Sequence, residues 1–218
     1  MTRFALAGAL ALALMSASAL PVRAQTEAAK PPPAGLAVAT FAGGCFWCME
    51  AAMVKAPGVI STTSGYTGGH KDNPSYEQVS MRNTGHKEAV RVVYDPKKVT
   101  YQTLLDNYWH NIDPLDPRGQ FCDKGDEYLP VIFYHTDEQK RLAEASKEAL
   151  VKSGRFKQPI TVQIEPAGVF WVAEGYHQDY YKKNPIRYQF YRYNCGRDAR
   201  LQQRWGADAP KAEHPPTQ

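Results

Sequence analysis

The sequence predicts an α+β fold, an α/β two-layer sandwich in which helices pack against one mixed sheet around a ferredoxin-like core. Short apolar runs with strand character alternate with stretches of helical period, without the strict β-α-β repeat of a parallel α/β protein. No Pro-rich linker interrupts residues 37–205, so one domain is expected. The composition, 43% hydrophobic and 22% charged, is that of an ordinary globular protein.

The first half of the domain contains three predicted strands and one helix. Residues 36–42 are an apolar run that ends at two glycines, which is typical of a strand followed by a tight turn. A helix is predicted over 45–54, and a weak strand and loop over the Ser-, Thr- and Gly-rich residues 60–69. Residues 87–94, KEAVRVVY, alternate and are bounded by an Asp-Pro turn, so they predict a clear strand.

The second half of the domain predicts further helices and strands around a long loop. Thr100 can cap a helix that has an apolar face. Thr136 and Gln139 form the capping-box pattern of a helix that continues to residue 152. The remaining predicted elements are a polar loop at 111–127, strands at 129–134, 160–165 and 170–173, and a short helix at 175–183.

Charge and cysteine content exclude several classes of protein. The net charge of +4 comes from scattered Lys and Arg, so no basic nucleic-acid footprint is indicated. Four cysteines in 218 residues are too few for a disulfide-scaffold miniprotein. A single long apolar stretch, at the N-terminus, excludes a multi-span membrane protein.

The N-terminus is typical of a secretory signal peptide. Residues 1–24 combine an early arginine, a short apolar core and a small-residue cleavage pattern, with an uncleaved anchor as the alternative. A Pro-rich linker is predicted over 25–36, the main domain over 37–205 and a flexible tail over 206–218. The chain is therefore expected to be periplasmic or secreted, where thiols are paired, cycled by a partner or bound to metal.

A cysteine at a predicted helix start is the most informative feature. Gly43 and Gly44 follow a strand, and Cys45 then opens the helix within the run GGCFWC. The N–H groups and dipole of a helix N-terminus favour an anion, so the Cys45 thiol is predicted to have a lowered pKa and raised nucleophilicity. The rings of Phe46 and Trp47 offer apolar walls that shield such a site from water.

Cys45 and Cys48 have three interpretations from the residues alone. They can form a structural disulfide, supply half of a zinc site or perform redox chemistry. The zinc interpretation needs two further ligands, and no second C-x-x-C is present. Within redox chemistry the rival is a thioredoxin-like disulfide exchanger, although Trp47 lies between the cysteines rather than before them. A small exported binding module with static disulfides is the non-enzymatic alternative.

The strand at 87–94 has an acid on an apolar face. Period-two alternation puts Glu88 on the same side as Val90, Val92 and Tyr94. The acid is either at the wet end of the strand or partly buried. Burial would raise its pKa, and a protonated carboxyl near a nucleophilic cysteine is a candidate general acid.

These motifs together resemble the A-type methionine sulfoxide reductases, the peptide-methionine (S)-S-oxide reductases. The similarity rests on GCFWC at 44–48 and GHKEAV at 85–90. It continues, in the family's order, through GYTGG at 65–69, NPSY at 73–76, VYDP at 93–96, DKG at 123–125 with Tyr128, and GYHQ at 175–178. The resemblance implies a two-layer α/β sandwich that reduces methionine S-sulfoxide, in proteins and as the free amino acid.

The resemblance also implies roles for individual residues. Cys45 is the implied nucleophile that attacks the sulfoxide sulfur, and Glu88 the acid that protonates its oxygen. Phe46 and Trp47 are the implied walls of the methyl pocket. The other implied substrate-binding residues are Tyr76, Asp123 and Tyr128. No metal or organic cofactor is implied. The reductant is thioredoxin or another dithiol, and the mature protein is expected to be a monomer that binds no nucleic acid or membrane.

The second thiol of the cycle has several candidates. A sulfenic acid on Cys45 must condense with another cysteine, and the predicted resolving residue is Cys195, in a polar, Gly-containing tail. Cys48, one helical turn from Cys45, is the alternative. Cys122, next to Asp123, is either a thiol that relays the disulfide outward or a structural residue, and four cysteines allow three complete pairings. Residues interpreted as packing or support are His177, Tyr188, Tyr191 and Tyr193.

Overall fold

The computed structural model describes residues 28–212. The predicted signal peptide, the first residues of the predicted linker and the end of the predicted tail lie outside that range. Within residues 28–212, no helix combines the length and the apolar character needed to cross a bilayer. The described chain forms a six-stranded mixed sheet with helices packed against it, which confirms the predicted α+β class.

The strands and helices follow the predicted order, with several short elements added. The strands are β1 Ala37–Ala42, β2 Val59–Thr67, β3 Lys87–Tyr94, β4 Gly119–Gln120, β5 Asp123–Lys124, β6 Val131–Tyr134, β7 Gln163–Pro166 and β8 Trp171–Val172. The helices are α1 Phe46–Met53, α2 Tyr76–Ser80, α3 Tyr101–His110, α4 Asp137–Lys152, α5 Tyr180–Lys183, α6 Pro185–Asn194 and α7 Arg197–Trp205.

The centre of the sheet is the predicted ferredoxin-like core. The strand order is β7-β6-β1-β3-β2-β8. β3 lies between β1 and β2 and is antiparallel to both, while β1 lies between β3 and β6 and is antiparallel to both. Two split β-α-β units, β1-α1-β2 and β3-α3-β6, are therefore interlocked. β7 extends the sheet in parallel with β6, and β8 extends it antiparallel to β2.

Helices cover one face of the sheet and form the main core with it. The strand residues Phe41, Val90 and Ile132 are fully buried in this cluster. The helices contribute Met49, Met53, Leu104, Leu105 and Tyr108 to the same cluster. On the other face, a smaller cluster includes Phe133 and Phe170. The described part of the predicted linker contacts this second face at Ala29, whose N–H donates to the Phe170 carbonyl at 2.9 Å.

The predicted helix caps are present. The hydroxyl oxygens of Thr100 and Thr136 accept hydrogen bonds from the backbone N–H groups of Thr103 and Gln139, at 3.1 and 3.2 Å. The Gln139 side chain bonds the N–H of His135 rather than that of Thr136, so the second half of the predicted capping box is displaced by one residue.

Three local predictions are corrected. The weak strand at 60–69 is the nine-residue strand β2, because it is paired on both sides within the sheet. The predicted loop at 111–127 contains the hairpin β4–β5. The short helix predicted at 175–183 is reduced to α5, because Asp179 adopts a left-handed φ of 53° just before it.

The predicted polar tail around Cys195 is a pair of helices. The short helix was predicted to end at residue 183, but Pro185 begins a further helix, α6, because a proline at the first helical position has no N–H that needs a partner. Gly196, with a φ of 65°, separates α6 from α7. Leu201 and Trp205, one turn apart on α7, are buried against the main core.

Candidate active site

The start of α1 positions Cys45 at the edge of the sheet. Cys45 is the N-cap of α1, and its carbonyl accepts the N–H groups of Cys48 and Met49. Gly44 has a φ of 80°, and a Cβ at this position would lie 2.6 Å from the Cβ of Gln120. Only glycine combines this backbone angle with this close approach, so the glycine fixes the turn that presents the cysteine.

Glu88 lies beneath this helix start and is buried, at 3% exposure. Its Oε2 accepts the Phe46 backbone N–H at 3.0 Å, which ties β3 to the first turn of α1. Burial raises the pKa of Glu88 to about 8, although the Phe46 N–H opposes the rise. The carboxyl therefore holds a proton at neutral pH. Of the two interpretations from the sequence, the structure shows the buried acid.

Cys45 and Cys48 are buried free thiols whose side chains share a hydrogen bond. Burial, with the hydrogen bond to Cys48, raises the pKa of Cys45 well above its usual value. The predicted lowering of the Cys45 pKa is therefore wrong, because desolvation and the neighbouring Cys48 outweigh the helix N-terminus. The hydrogen bond from Cys45 lowers the pKa of Cys48 to about 6, and Arg197 adds to the lowering. The negative charge of the pair lies on Cys48.

Aromatic rings surround the thiol pair. Phe46 is buried, and its ring centroid lies 4.9 Å from that of His177. Trp47 stacks on Tyr180 at 3.7 Å and donates its Nε1–H to His177 Nδ1 at 3.0 Å. Burial lowers the pKa of His177 to about 4, so the imidazole is neutral and accepts this bond. His177 is a supporting residue of the aromatic wall, as expected.

Two tyrosines, Tyr76 and Tyr128, interact electrostatically with the Glu88 carboxyl. Burial, followed by the charge of Glu88, raises the pKa of both Tyr76 and Tyr128. Both phenols therefore keep their protons and can donate hydrogen bonds. Tyr76 is held in place through its backbone N–H, which donates to Glu174 at 2.9 Å, while Tyr66 donates to the same carboxylate at 2.8 Å.

Asp123 connects the thiol pair to a second cysteine pair. Cys122 and Cys195 form a disulfide, and their sulfur atoms lie 3.6 and 3.9 Å from the Asp123 carboxylate oxygens. The Tyr191 hydroxyl donates to the same carboxylate. Tyr191 also packs edge-on against Trp47, with ring centroids 5.7 Å apart. The tyrosine was interpreted as packing only, so its polar contact was missed.

Arg197 is a functional candidate that the sequence did not reveal. Its side chain is 2% exposed, and its Nη2 donates to the carbonyls of Gly43 and Asn111 at 3.3 and 2.8 Å. It was hidden in a segment predicted to be a polar tail. The signal that could have found it is the spacing of Arg197, Leu201 and Trp205, which puts all three on one buried face of α7.

The zinc interpretation gains no support at Cys45. Within residues 28–212, the one cluster with metal-ligand spacing is Cys122, Asp123 and Cys195. Neither Cys45 nor Cys48 belongs to it. Both sulfur atoms of the cluster are in the disulfide, so they are not thiolate ligands.

The structure brings most of the predicted site residues together. The first turn of α1 provides Cys45, Phe46, Trp47 and Cys48, and Glu88 lies below it. The other predicted residues in mutual electrostatic contact are Tyr76, Asp123 and Tyr128. Cys195 is paired with Cys122 rather than placed against Cys45. Such an arrangement, a thiol pair with a buried proton donor in an apolar cup, suits nucleophilic attack on a centre whose bonded oxygen must be protonated.

Comparison with known sequences identifies relatives across almost the whole described chain. The family model described as peptide methionine sulfoxide reductase matches residues 37–209. Peptide methionine sulfoxide reductase MsrA of Bacillus licheniformis is 54% identical over 169 residues, 78% of this chain and 93% of that protein. The MsrA of Bacillus subtilis is 52% identical over 170 residues, 78% of this chain and 96% of that protein.

Solved structures show the same fold. The reduced form of Mxr1 from Saccharomyces cerevisiae matches with a TM-score of 0.65 and 35% identity, covering 72% of this chain and 90% of that one. Methionine sulfoxide reductase A of Corynebacterium diphtheriae matches with a TM-score of 0.62 and 30% identity, covering 70% of this chain and 77% of that one.

Proposed function

The chain belongs to the peptide methionine sulfoxide reductase family, and from that membership we propose that it reduces the S epimer of methionine sulfoxide to methionine. The substrate is methionine sulfoxide in oxidised proteins or as the free amino acid. Family membership favours this activity over the rival C-x-x-C disulfide exchanger.

The observation that supports the proposal most directly is a protonated carboxyl beside a thiol. Glu88 has a pKa of about 8 because it is buried, and its charge, when present, raises the pKa of Cys45. A sulfoxide oxygen leaves sulfur only when it is protonated, so the reaction needs a proton donor and a sulfur nucleophile together. Tyr76 and Tyr128, whose buried phenols keep their protons, are the proposed hydrogen-bond donors to the same oxygen.

The proton and electron balance can be written on these residues. Cys45 passes its proton to the Cys48 thiolate and attacks the sulfoxide sulfur, while Glu88 protonates the oxygen. The hydroxyl group then passes from the substrate sulfur to the Cys45 sulfur as the S–O bond and the newly formed S–S bond break, so methionine leaves as the thioether and Cys45 becomes a sulfenic acid. The substrate is reduced by two electrons and Cys45 is oxidised by two. The thiols supply all the electrons of this step.

The aromatic wall gives the site its substrate preference. The buried ring of Phe46 and the half-buried ring of Trp47 provide apolar contacts for the methyl group of the sulfoxide. With the methyl group on this wall and the oxygen at Glu88, only one sulfur configuration leaves the third substituent pointing out of the site. This three-point contact accounts for selection of the S epimer.

The proposal extends to the setting of the enzyme. The signal-peptide pattern of residues 1–24 supports export to the periplasm or beyond. A thioredoxin-like dithiol protein is the proposed reductant, since a disulfide formed at each turnover must be reduced by thiol exchange.

Turnover of the separate epimers with dithiothreitol tests this function. The S epimer should be consumed and the R epimer should persist, and Cys45→Ser should abolish methionine formation. Ser64→Ala, which leaves all thiols in place, is the control. Equal loss of both epimers, or of neither, contradicts the proposal. Reduction of insulin disulfides without any sulfoxide activity would support the exchanger instead.

A further inference from the structure

We propose that Glu50 is a positioning residue that fixes the aromatic wall of the site, and that it thereby sets the preference for a methyl sulfoxide over one with a larger alkyl group. The inference rests on the proposed function, because it concerns how that site selects its substrate. Glu50 lies on α1, three residues after Trp47. It takes no part in the proposed proton transfer, so its burial calls for another role.

Glu50 is buried, at 1% exposure, and is held by neutral donors. Its Oε2 accepts the backbone N–H of Asp179 at 2.9 Å, and its Oε1 accepts the Thr62 hydroxyl at 3.5 Å. Burial raises the pKa of Glu50 to about 7, and the bond from the Asp179 N–H opposes that rise. A buried carboxyl costs free energy unless hydrogen bonds replace the lost water, so the shorter bond, to Asp179, is the contact that matters most.

The Asp179 N–H belongs to a short segment, residues 177–180, that packs against the aromatic wall. Asp179 has a φ of 53°, in the left-handed region that residues with a side chain rarely adopt. Such a conformation persists only where surrounding contacts hold it. Gln178 ties the segment to β2, because its side chain bonds the N–H and the carbonyl of Ser64 at 2.9 and 2.8 Å. Glu50 ties the next residue to α1.

Trp47 contacts this segment on both sides of Asp179. Its Nε1–H donates to His177 Nδ1 at 3.0 Å. Its ring stacks on Tyr180, with 3.7 Å between the centroids and 7° between the planes. Trp47 and Glu50 are three residues apart in one helix, so they lie on the same side of it. Along the chain, the residue that Glu50 holds therefore lies between the two residues that orient the Trp47 ring.

Loss of the Glu50 bond should loosen this wall more than it disturbs the reacting groups. Glu88 is bonded to the Phe46 N–H, and Cys45 to Cys48, so these contacts lie outside residues 177–180. A Trp47 ring that is free to shift contacts a methyl group less closely and leaves room for a second carbon. Glu50 is therefore expected to act on substrate binding and alkyl selectivity, with little effect on the chemical step.

Single-turnover rates of the fully reduced enzyme test the inference, with methionine S-sulfoxide and ethionine S-sulfoxide as the two substrates. The ethyl group of ethionine adds one methylene at the wall. The ratio of limiting rate to half-saturation concentration should favour the methyl compound by about tenfold in the wild type. In Glu50→Ala this preference should fall to about twofold. The half-saturation concentration for methionine S-sulfoxide should rise about fivefold, while the limiting rate stays within about twofold.

Two variants separate the hydrogen bond from the stability of the helix. Glu50→Gln keeps a carbonyl oxygen for the Asp179 N–H, so it should retain the wild-type preference. Ala52→Gly weakens the same helix and leaves the acceptor in place, so it should retain the preference as well. The inference is overturned if Glu50→Gln behaves as Glu50→Ala, or if Ala52→Gly loses the preference, because the effect would then not depend on an acceptor at residue 50.

Tyr180→Leu tests the route through the wall and does not depend on the folding of Glu50→Ala. Tyr180 is half-buried, and leucine removes the ring that stacks on Trp47. This variant should lose the methyl preference, and Glu50→Ala/Tyr180→Leu should lose no more than either single variant, because both changes act on one contact. An unchanged preference in Tyr180→Leu, or effects that multiply in the double variant, overturns the inference.

The outcomes separate the positioning role from the function. A wild-type chain that forms no methionine from the S-sulfoxide overturns the proposed function. A wild-type chain that forms methionine but reduces the ethyl compound equally well overturns only the positioning role. The same holds if Glu50→Ala shows the half-saturation concentration and the methyl preference of the wild type.

Discussion

Cys45 and Cys48 lie on the ferredoxin-like core, at the junction of β1 and α1, whereas Cys122 and Cys195 lie on the β4–β5 hairpin and between the last two helices. The core pair is buried and reduced, and the outer pair is accessible and oxidised. The core pair is surrounded by a protonated carboxyl and aromatic rings. The outer pair borders an open depression that is also lined by Phe121, Gly196, Ala199, Arg200 and Gln203.

The difference places the two cysteine pairs in two chemical environments, one that excludes water and one that is open to it. Proton transfer to a sulfoxide needs a site from which water is excluded, because burial keeps the proton on Glu88 at neutral pH. Exchange with a protein needs exposed sulfur atoms.

The largest expected effect comes from removing the acid beside the core pair, because only the reaction of the core pair uses that acid. Glu88→Gln removes the acid and should lower the rate of methionine formation in a single turnover by about 10²- to 10⁴-fold. In the wild type this rate should fall above pH 8, because Glu88 loses its proton as the pH passes its pKa of about 8. The variant should lack that fall.

The control is Glu144→Gln on the exposed face of α4, which should behave as the wild type. Reduction of the Cys122–Cys195 disulfide by dithiothreitol should proceed at the wild-type rate in Glu88→Gln. An equal slowing of both reactions would mean that the two pairs are not chemically separate.

Gly44 is the point where the two regions touch, and its substitution should disturb both. In Gly44→Ala the new Cβ meets Gln120 of the β4–β5 hairpin, and the left-handed backbone adds strain. Overpacking and strain together should lower the free energy of unfolding by about 3 kcal/mol. Urea denaturation measures the loss.

Gly154→Ala is the matched control. Gly154 has a φ of 67° but no atom within 4 Å of an added Cβ, so it has the strain without the clash. Its loss should be about 1 kcal/mol. If both variants lower the free energy of unfolding equally, the close approach of the hairpin to the helix start does not contribute to stability.

The smallest expected effect concerns Tyr191, which contacts Asp123 beside the outer pair and Trp47 beside the core pair. Tyr191→Phe removes the hydroxyl that donates to Asp123 and keeps the ring against Trp47. Loss of one hydrogen bond should lower the free energy of unfolding by about 1 kcal/mol. Tyr193→Phe, at a side chain with 72% exposure, is the control, and it should change stability by less than about 0.5 kcal/mol. Equal free energies of unfolding for the two variants would mean that the hydrogen bond from Tyr191 to Asp123 does not contribute to stability.

The fold was predictable where local signals and global packing agree. The strand at 87–94 is found within the same bounds, and Thr100 and Thr136 cap their helices, because alternation and capping are local properties. β2 was underestimated, since its Ser and Thr residues have little apolar signal and gain their order from pairing on both sides. α6 and α7 were missed because their polar composition conceals a narrow buried face.

The site was predictable in its residues and less so in its electrostatics. The motifs around Cys45 and Glu88 identified both groups, and alternation indicated which face Glu88 occupies. The sign of the Cys45 shift was wrong, because desolvation and neighbouring acids depend on tertiary packing that a helix start does not reveal. The pairing of Cys122 with Cys195 joins positions 73 residues apart, and no local pattern specifies it.

The contact of Arg197 with the Gly43 carbonyl joins residues 154 positions apart. It can therefore form only after α7 has been synthesised. Loops of that length close late in folding, because the chain entropy lost in closing them must be compensated by other contacts. Cys45 and Cys48 are synthesised long before Arg197, whose charge adds to the lowering of the Cys48 pKa. A truncated chain that ends before α7 therefore has both thiols but lacks the charge of Arg197 beside them.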